Sequence, residues 1–563
     1  MPSGKRKVHA ALLKRSVQTA CFLLFILLLV EAASGPEALL DPGLLQQCDP
    51  LNAAGVLVTG RSLVLGILPG LFVILATIVF GRIFCGYVCP LGATIDAAGK
   101  LLTPKKRRPF LGRLRRLKEA LLVAVLAAAV GGFALYSLLS PLPLLGRALS
   151  YLVLPGLTGL ADLGLDALRP TAEDLGYLEL ARTTLDTPSV ATGPTVLIIL
   201  LVVLALVLVA PRLWCRALCP AGGLLGLCAS RAVFRRVVDE SCDGCGACAR
   251  LCPMGAIPLD APHTTDRREC TLCRTCAAIC PRGSISFRFS STGSRAALGE
   301  EVRCHRSAPA AALSRRKFIS MAGGGAALGA ASAVVALPQS PGRLIRPPGA
   351  LPEPLFSATC VRCGLCIQAC PTHTLRPSGL EEGLAGLWTP RLDTREGPCD
   401  PHCRSCGVVC PSHAIRELPL PEKTNAKIGT AIIERERCLA WNEDQHCMVC
   451  DEVCPINAIE VRPPGPGRSV QTPVVIPERC NGCGACEHAC PVEGISAIRI
   501  TPEDEIRLAE GSYIEEGKRR GLVFEARETE DVYGLPGNAE NAYGLPQGDG
   551  GGPDGLPPGF TTD

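Results

Sequence analysis

The chain has 563 residues, 48% of them hydrophobic and only 4% aromatic, with a mean hydropathy of +0.28. That length allows three or four domains, and that composition points to membrane-spanning segments instead of one large soluble core. A net charge of +5, with the basic residues gathered beside apolar runs, excludes a nucleic-acid-binding stripe, so no nucleic-acid partner is expected.

Four apolar windows lie in the first 215 residues: Val17–Val30, Ser62–Phe80, Ala120–Leu139 and Thr195–Ala210. A span needs about 20 mostly apolar residues, with about 17 as the lower end. The second and third windows meet that length, and the first and fourth need flanking residues to do so. Basic residues cluster at Lys5, Arg6, Lys7, Lys14 and Arg15, and again from Lys100 to Arg116. The stretch from Glu31 to Arg61 holds only Arg61, and that from Pro141 to Gly193 holds Asp162, Asp166, Glu173 and Asp174. By the positive-inside rule the N-terminus and the Lys100–Arg116 loop face the cytoplasm. The basic start of the first window and Ala32-Ala33-Ser34 also fit a cleaved signal peptide, which would leave the later orientation unchanged.

Two of these windows end in the same motif, "RIFCGYVCPLG" (Arg82–Gly92) and "RLWCRALCPAG" (Arg212–Gly222). In a helix, residues four apart share a face, so each copy offers two adjacent thiols. Cys85, Cys89, Cys215 and Cys219 are therefore candidates for a redox relay. Three forms stay open: a four-sulfur site, a dithiol relay, or a relay to bound quinone. A structural role in a tight turn at the membrane surface is the alternative. Asp96 is the ionisable residue nearest a motif. Cys21, Cys48, Cys228 and Cys304 follow no pattern.

Most of the thirty-two cysteines fall in C-x2-C-x2-C-x3-C-P runs, the ligand spacing of [4Fe–4S] clusters, and not in the pattern of a small disulfide scaffold. Six quartets can be read. They are Cys242, Cys245, Cys248 and Cys252; Cys270, Cys273, Cys276 and Cys280; Cys360, Cys363, Cys366 and Cys370; Cys399, Cys403, Cys406 and Cys410; Cys438, Cys447, Cys450 and Cys454; and Cys480, Cys483, Cys486 and Cys490. The fourth and fifth lengthen the first loop. Zinc also uses C-x2-C pairs but does not call for the full rhythm. In two-cluster ferredoxins the cysteine before Pro ligates the neighbouring cluster, so Cys252 should complete the site of Cys270, Cys273 and Cys276, and Cys280 that of Cys242, Cys245 and Cys248.

Between the second and third quartets stands "SRRKFISMAGGGAALGAASAVVAL" (Ser314–Leu337), a twin-arginine address followed by a weakly apolar segment. Clusters are assembled in the reducing cytoplasm, and a domain that carries four of them should cross the membrane already folded. The segment can also remain as a fifth anchor. An ordinary soluble helix beside an arginine pair is the alternative. Beyond Ala526 the acidic, Gly- and Pro-rich tail cannot bury enough apolar surface to order itself.

Two membrane C-x3-C-P motifs followed by two cluster motifs resemble NapH, the membrane ferredoxin of periplasmic nitrate reductase systems, and its relatives of the NosR, MauN and CcoG group. A twin-arginine signal followed by four cluster motifs, one with an eight-residue first gap, resembles NapG. The chain thus looks like a NapH–NapG fusion over roughly Arg82 to Ile498, with Arg216 standing where the family motif "FCGxxCP" has Gly. The resemblance to four-cluster ferredoxin subunits implies nested pairing in the second stretch: first quartet with last, second with third.

The expected fold is an α-helical membrane domain of four spans and a fifth anchor, with two α+β bacterial-ferredoxin-like modules. The expected divisions are a membrane domain at 1–228, a cytoplasmic two-cluster module at 229–290 and a linker with the export signal at 291–350. A periplasmic four-cluster module at 351–526 and a disordered tail at 527–563 complete the chain. Implied by the resemblance are about six [4Fe–4S] clusters, quinol from the quinone pool as substrate, and a periplasmic reductase or cytochrome as partner. Membrane lipid would surround the helices in the bacterial inner membrane. No haem-attachment C-x-x-C-H or dinucleotide fingerprint stands out, so the chain reads as a quinol-dehydrogenase-type relay and not a stand-alone catalyst. A maturation or redox-sensing factor like NosR and CcoG is the other class of function, and a scaffolding subunit a third.

Overall fold

The computed structural model describes residues 3–61, 64–102, 116–174, 193–289, 344–380, 383–464 and 469–524, with a few single positions between them. The twin-arginine pair Arg315-Arg316, Cys304, most of the Lys100–Arg116 loop and the tail at 527–563 lie outside the described residues.

A 29-residue helix, Ser3–Glu31, opens the chain. It ends in a 3-10 turn, Ala32–Glu37, where Gly35 takes a φ of 54° and Pro36 follows. Leu12–Glu37 (mean hydropathy 2.0) and Pro141–Pro170 (1.4) are long and apolar enough to cross a membrane. Leu65–Phe80, Gly193–Val209 and Pro220–Ala229 are apolar but shorter. The second of the long helices falls between the third and fourth expected windows, where the sequence predicts no span. Its prolines 141 and 143 sit in the first turn, where a missing N–H costs nothing. The third expected window is broken instead. The helix Leu117–Val130 stops at Gly131-Gly132, with Gly132 at φ +88°, and the chain restarts at Tyr136–Leu139.

Each pair of neighbouring cysteine quartets is enclosed by an antiparallel pairing. Phe234–Val238 pairs with Ile285–Phe289 around the first two quartets. A single bridge from Ala350 to Ile415 encloses the next two, and Thr430–Ile433 pairs with Ile498–Thr501 around the last two. Within the later pairs run inner hairpins, Leu375–Pro377 with Pro390–Leu392 and Ile459–Arg462 with Thr472–Val475.

The two cysteine-rich modules meet opposite ends of the first apolar span, Leu12–Glu37. Its Lys14, Arg15 and Gln18 line one cavity with Cys273, Thr275 and Ala278. Its far end, the Ala32–Glu37 turn, packs on Leu365–Gln368 and Ser405–Val408. Gln18 to Glu31 alone covers about 20 Å at 1.5 Å per residue.

Each dock is made by buried cations. At the near end Arg82 donates to the Arg268 carbonyl at 2.8 Å and pairs with Glu269 at 3.4 Å, which also takes Lys118 at 2.5 Å; all three side chains are at most 5% exposed. At the far end Arg362 donates to the carbonyls of Ala134 and Ala385, each at 2.7 Å, and to the Ser137 hydroxyl. Arg147 returns a bond to the Arg362 carbonyl at 3.1 Å, and the Tyr136 and Thr59 hydroxyls both donate to Ala358 O at 2.8 Å. The helices and the 344–524 module thereby share one buried apolar cluster, from Phe25 and Leu145 to Phe356 and Leu365.

Arg362→Ala would remove its bonds to Ala134 O, the Ser137 hydroxyl and Ala385 O, weakening the dock by on the order of 2 kcal/mol. Hydrogen exchange at amides 134–139 is expected to speed up by tenfold or more, while exchange in strands 430–433 and 498–501 stays unchanged. Equal exchange in variant and parent would show that this contact does not hold the module.

Candidate metal centres

Six sites emerge from the same local device. The third cysteine of every motif sits on a one-turn helix: Cys248, Cys276, Cys366, Cys406, Cys450 and Cys486. In the four regular motifs the residues just before and just after the second cysteine are left-handed: Gly244 and Gly246, Leu272 and Arg274, Arg362 and Gly364, Gly482 and Gly484. A left-handed kink on either side folds three thiols inward around one volume, at little cost where the residue is Gly. The two long-gap motifs reach the same end with Arg404 and Met448 at negative φ. Three residues after the Cys-Pro cysteine the backbone is left-handed again, at Gly255, Gly283, His373, His413 and Asn457, and one residue later at Gly494. That turn aims amide N–H groups at sulfur. Ala256, Ile415 and Ala458 donate to the thiols of Cys252, Cys410 and Cys454 at 3.3, 3.4 and 3.3 Å.

The Cys-Pro cysteine of each motif lies with its neighbour's three. Cys252 lines one cavity with Cys270, Cys273 and Cys276. Cys370 lines another with Cys399, Cys403 and Cys406, and Cys490 a third with Cys438, Cys447 and Cys450. Cys410 lies within electrostatic reach of Cys363 and Cys366, and Cys454 of Cys480, Cys483 and Cys486. The exchange of Cys252 follows the sequence expectation. The nested pairing does not hold: the third quartet exchanges with the fourth, and the fifth with the sixth. The inner hairpins are the cause, because each folds one Cys-Pro exit back onto the motif next along the chain.

Burial pushes the thiols of Cys270, Cys276, Cys363, Cys450 and Cys483 up to about 12, so without a metal they hold their protons. Thiolate ligation reverses that, and loading couples to proton release. Among the described residues no three His, Cys, Asp or Glu side chains converge closely enough to hold a single metal ion. A cubane, whose ligands stand further apart, is the group whose donor set and cradle these quartets match.

The four sites of the second module form a row. The Cys360 group faces the helices: the Cys363 carbonyl lies 3.4 Å from where a Cβ on Gly146 would stand, and Gly364 packs on the Tyr151 ring. The Cys399 group shares Cys370 with it, and Cys399 N–H donates to the Cys483 carbonyl at 2.7 Å, joining it to the third. The Cys438 group ends the row.

The C-x3-C-P motifs form π turns, Phe84–Val88 and Trp214–Leu218, closed by Cys89 N–H to Phe84 O and Cys219 N–H to Trp214 O, both at 2.9 Å. Such turns are frequent at functional sites. The four thiols lie within electrostatic reach of one another. Asp96 is held by Arg212 at 2.6 and 2.7 Å, by Lys14 at 2.9 Å and by Gln18 at 3.1 Å, so it anchors Arg212 and is not a free proton acceptor. At Gly86 a Cβ would stand 2.5 Å from the Thr271 carbonyl of the first module. Arg216, its counterpart, donates to Pro211 O at 3.5 Å. Sequence reading missed the Arg82–Glu269–Lys118 triad, whose only local signal is the Arg that begins each repeat.

Comparison with known proteins bears on these sites. A profile described as "4Fe-4S binding domain" matches residues 63–109 and 192–237, one described as "4Fe-4S dicluster domain" matches 241–284 and 445–493, and a further "4Fe-4S binding domain" matches 356–376. The dicluster match at 445–493 covers the last three cysteines of the fifth motif and all of the sixth, in agreement with neighbour exchange. The methylamine utilization ferredoxin-type protein MauM of Paracoccus denitrificans is 43% identical over 167 residues, 29% of this chain and 73% of the relative. The ferredoxin-type protein NapG of Escherichia coli is 36% identical over 213 residues, 35% of this chain and 88% of the relative. The chain belongs to the NapG and MauM family of ferredoxin-type proteins. The ferredoxin-type protein NapH of Haemophilus influenzae is 25% identical over 220 residues, 37% of this chain and 63% of the relative. This polyferredoxin is a ferredoxin-type electron-transfer protein with iron–sulfur domains.

Neighbour exchange makes a sharp expectation. In the iron-loaded chain, Cys410→Ala should leave Cys360, Cys363 and Cys366 open to alkylation while Cys438, Cys447 and Cys450 stay protected. Mass-spectrometric mapping of alkylated thiols gives the result, and the reverse pattern would restore the nested scheme.

Proposed function

We propose that this polyferredoxin carries electrons from quinol, across the bacterial inner membrane, to a periplasmic reductase or cytochrome. The six cysteine quartets would each hold a [4Fe–4S] cluster, with the ligands as grouped above. The observation that carries the reading is the attachment of two cysteine-rich modules to opposite ends of the apolar span Leu12–Glu37. A relay confined to one face would need no such frame.

Orientation has support from charge. Lys14, Arg15 and Lys100 share a cavity of about 480 Å³ with Cys273 and Thr275 of the first module, and clustered basic residues mark the cytoplasmic side. The 344–524 module then faces the periplasm, which the internal twin-arginine signal at Ser314–Ile319 would serve by delivering it folded. The same cavity is where quinol could approach a cluster ligand. It lies between the helices and the Cys270 group, with apolar Ile95 and Val207 on one wall and Arg274 on the other.

The clusters supply one-electron steps when bound. The chain's own residues set their spacing, exclude water and tune potential through N–H donors such as Ala256, Ile415 and Ala458. Electrons leaving the helices would enter at the Cys360 group and exit at the Cys438 group, beside exposed His446 and half-buried Trp441.

In membrane vesicles, added quinol should bleach the cluster absorption of the chain, and a C-terminal reporter should be active only on the periplasmic side. No bleaching at normal iron content would end the quinol reading and favour a maturation or sensing role. A cytoplasmic reporter would end the two-sided one.

A further inference from the structure

We infer that Cys85, Cys89, Cys215 and Cys219 together hold one iron–sulfur cluster of the cubane class, a seventh centre inside the helical domain. Neither C-x3-C-P motif has enough thiols alone. The fold supplies the complement, since two motifs 130 residues apart bring four thiols within electrostatic reach of one another.

The surroundings are built for thiolate. Cys89 and Cys219 cap the helices Pro90–Leu102 and Pro220–Ala229, and each sulfur accepts the N–H of the glycine three residues on, Gly92 for Cys89 and Gly222 for Cys219, the latter at 3.3 Å. A helix N-terminus favours the ionised thiol. Gly92 and Gly222 leave no slack. A Cβ at Gly92 would stand 3.2 Å from Cys85 O, and one at Gly222 would stand 3.2 Å from Cys215 O and 2.9 Å from Arg82 Nη2. The arginines cross: Arg82 of the first motif reaches Gly222 of the second, and Arg212 lies 3.9 Å from the corresponding point at Gly92. The site is thus a pseudo-twofold pair of half-sites.

Charge points the same way. Arg82 and Lys118 share one carboxylate, Glu269, and Arg212 and Lys14 share another, Asp96. Each group keeps one uncancelled positive charge, so two remain, and the guanidiniums of Arg82 and Arg212 are fully or almost fully buried. Uncompensated buried charge is costly. A [4Fe–4S] unit in its 2+ state with four thiolates has a net charge of about −2, which balances it. Four neutral thiols or two disulfides would not.

The place is also the useful one. Arg212 lies within electrostatic reach of both Cys215 and Cys273, a ligand position of the first module. Gln18 bonds Gly86 O at 3.1 Å, and seven residues on, about 10 Å by helical rise, Phe25 packs against Gly146 below Cys363. The thiol site therefore stands between the two modules. Loading replaces four thiol protons with four Fe–S bonds to the cluster. In relay the cluster takes one electron, passing from 2+ to 1+, and gives one up, with no bond made or broken. The binding claim does not depend on quinol being the donor.

The test uses the full-length chain purified in detergent. Against the parent, the double variant Cys85→Ala, Cys215→Ala should lose about four iron and four acid-labile sulfide per chain, the content of one cubane. A control, Cys21→Ala with Cys228→Ala, should lose none. If the double variant does not fold, the parent decides: all four thiols should resist alkylation when iron is bound and react once it is stripped. Unchanged iron in a folded variant, loss of a single zinc ion, recovery of the four residues as disulfides, or free alkylation in the iron-loaded parent would each overturn the assignment.

Discussion

A cubane must be wrapped by chain that turns back on itself within two residues, and the rest of the molecule follows from that constraint. Left-handed residues on both sides of the second cysteine close each regular loop, and a third left-handed position after Cys-Pro sends the chain onward with its amides facing sulfur. The cysteine that leaves is handed to the neighbour, so two loops become one unit that neither could form alone. A two-stranded pairing, or in the middle unit a single bridge, then suffices to close each unit. Little conventional core is needed: the first module's buried cluster is Cys248, Ala249, Ile257, Cys276 and Ile285, two of which are themselves cysteines of the quartets.

Because such units bury so little apolar surface, they depend on being held. At both ends of the helical domain the hold is a buried cation reaching backbone carbonyls of a cysteine loop: Arg82 on Arg268 at one end, and Arg147 on Arg362 at the other. Carbonyl-directed bonds fix register more than they add stability, since desolvating a guanidinium offsets much of what its bonds return. Register is what a relay requires, because tunnelling falls steeply with distance and a shifted module would open a gap.

The legible part of the molecule was the part written in short spacings. Each quartet, and the exchange of Cys252 with the Cys270 group, could be read from intervals of two and three residues. The pairing of the last four quartets could not, because it is decided by the hairpins at 375–392 and 459–475 and not by the motifs. The long Pro141–Pro170 helix lies where the windows predict no span: Pro141 and Pro143 occupy its first turn, where they are harmless, and Pro155 and Pro170 are carried further along it. Glu269 looked like any acidic residue beside a cysteine, and its partners Arg82 and Lys118 stand 187 and 151 residues away.

Arg216 gains a physical reading from the same geometry. In the first motif the residue after the leading cysteine must be Gly, because the Thr271 carbonyl of the docked module occupies the space of a side chain. In the second motif that position holds Arg216, which bonds the Pro211 carbonyl. The two half-sites are alike where they face each other, in Arg, Cys, Pro and Gly, and differ where only one of them meets a partner. A repeat that keeps Arg, both Cys, Pro and Gly, while Gly86 and Tyr87 meet Thr271 and Leu272 of the module where the second copy has Arg216 and Ala217, is under two demands at once: symmetry around the thiols, and a single docking side for the ferredoxin module.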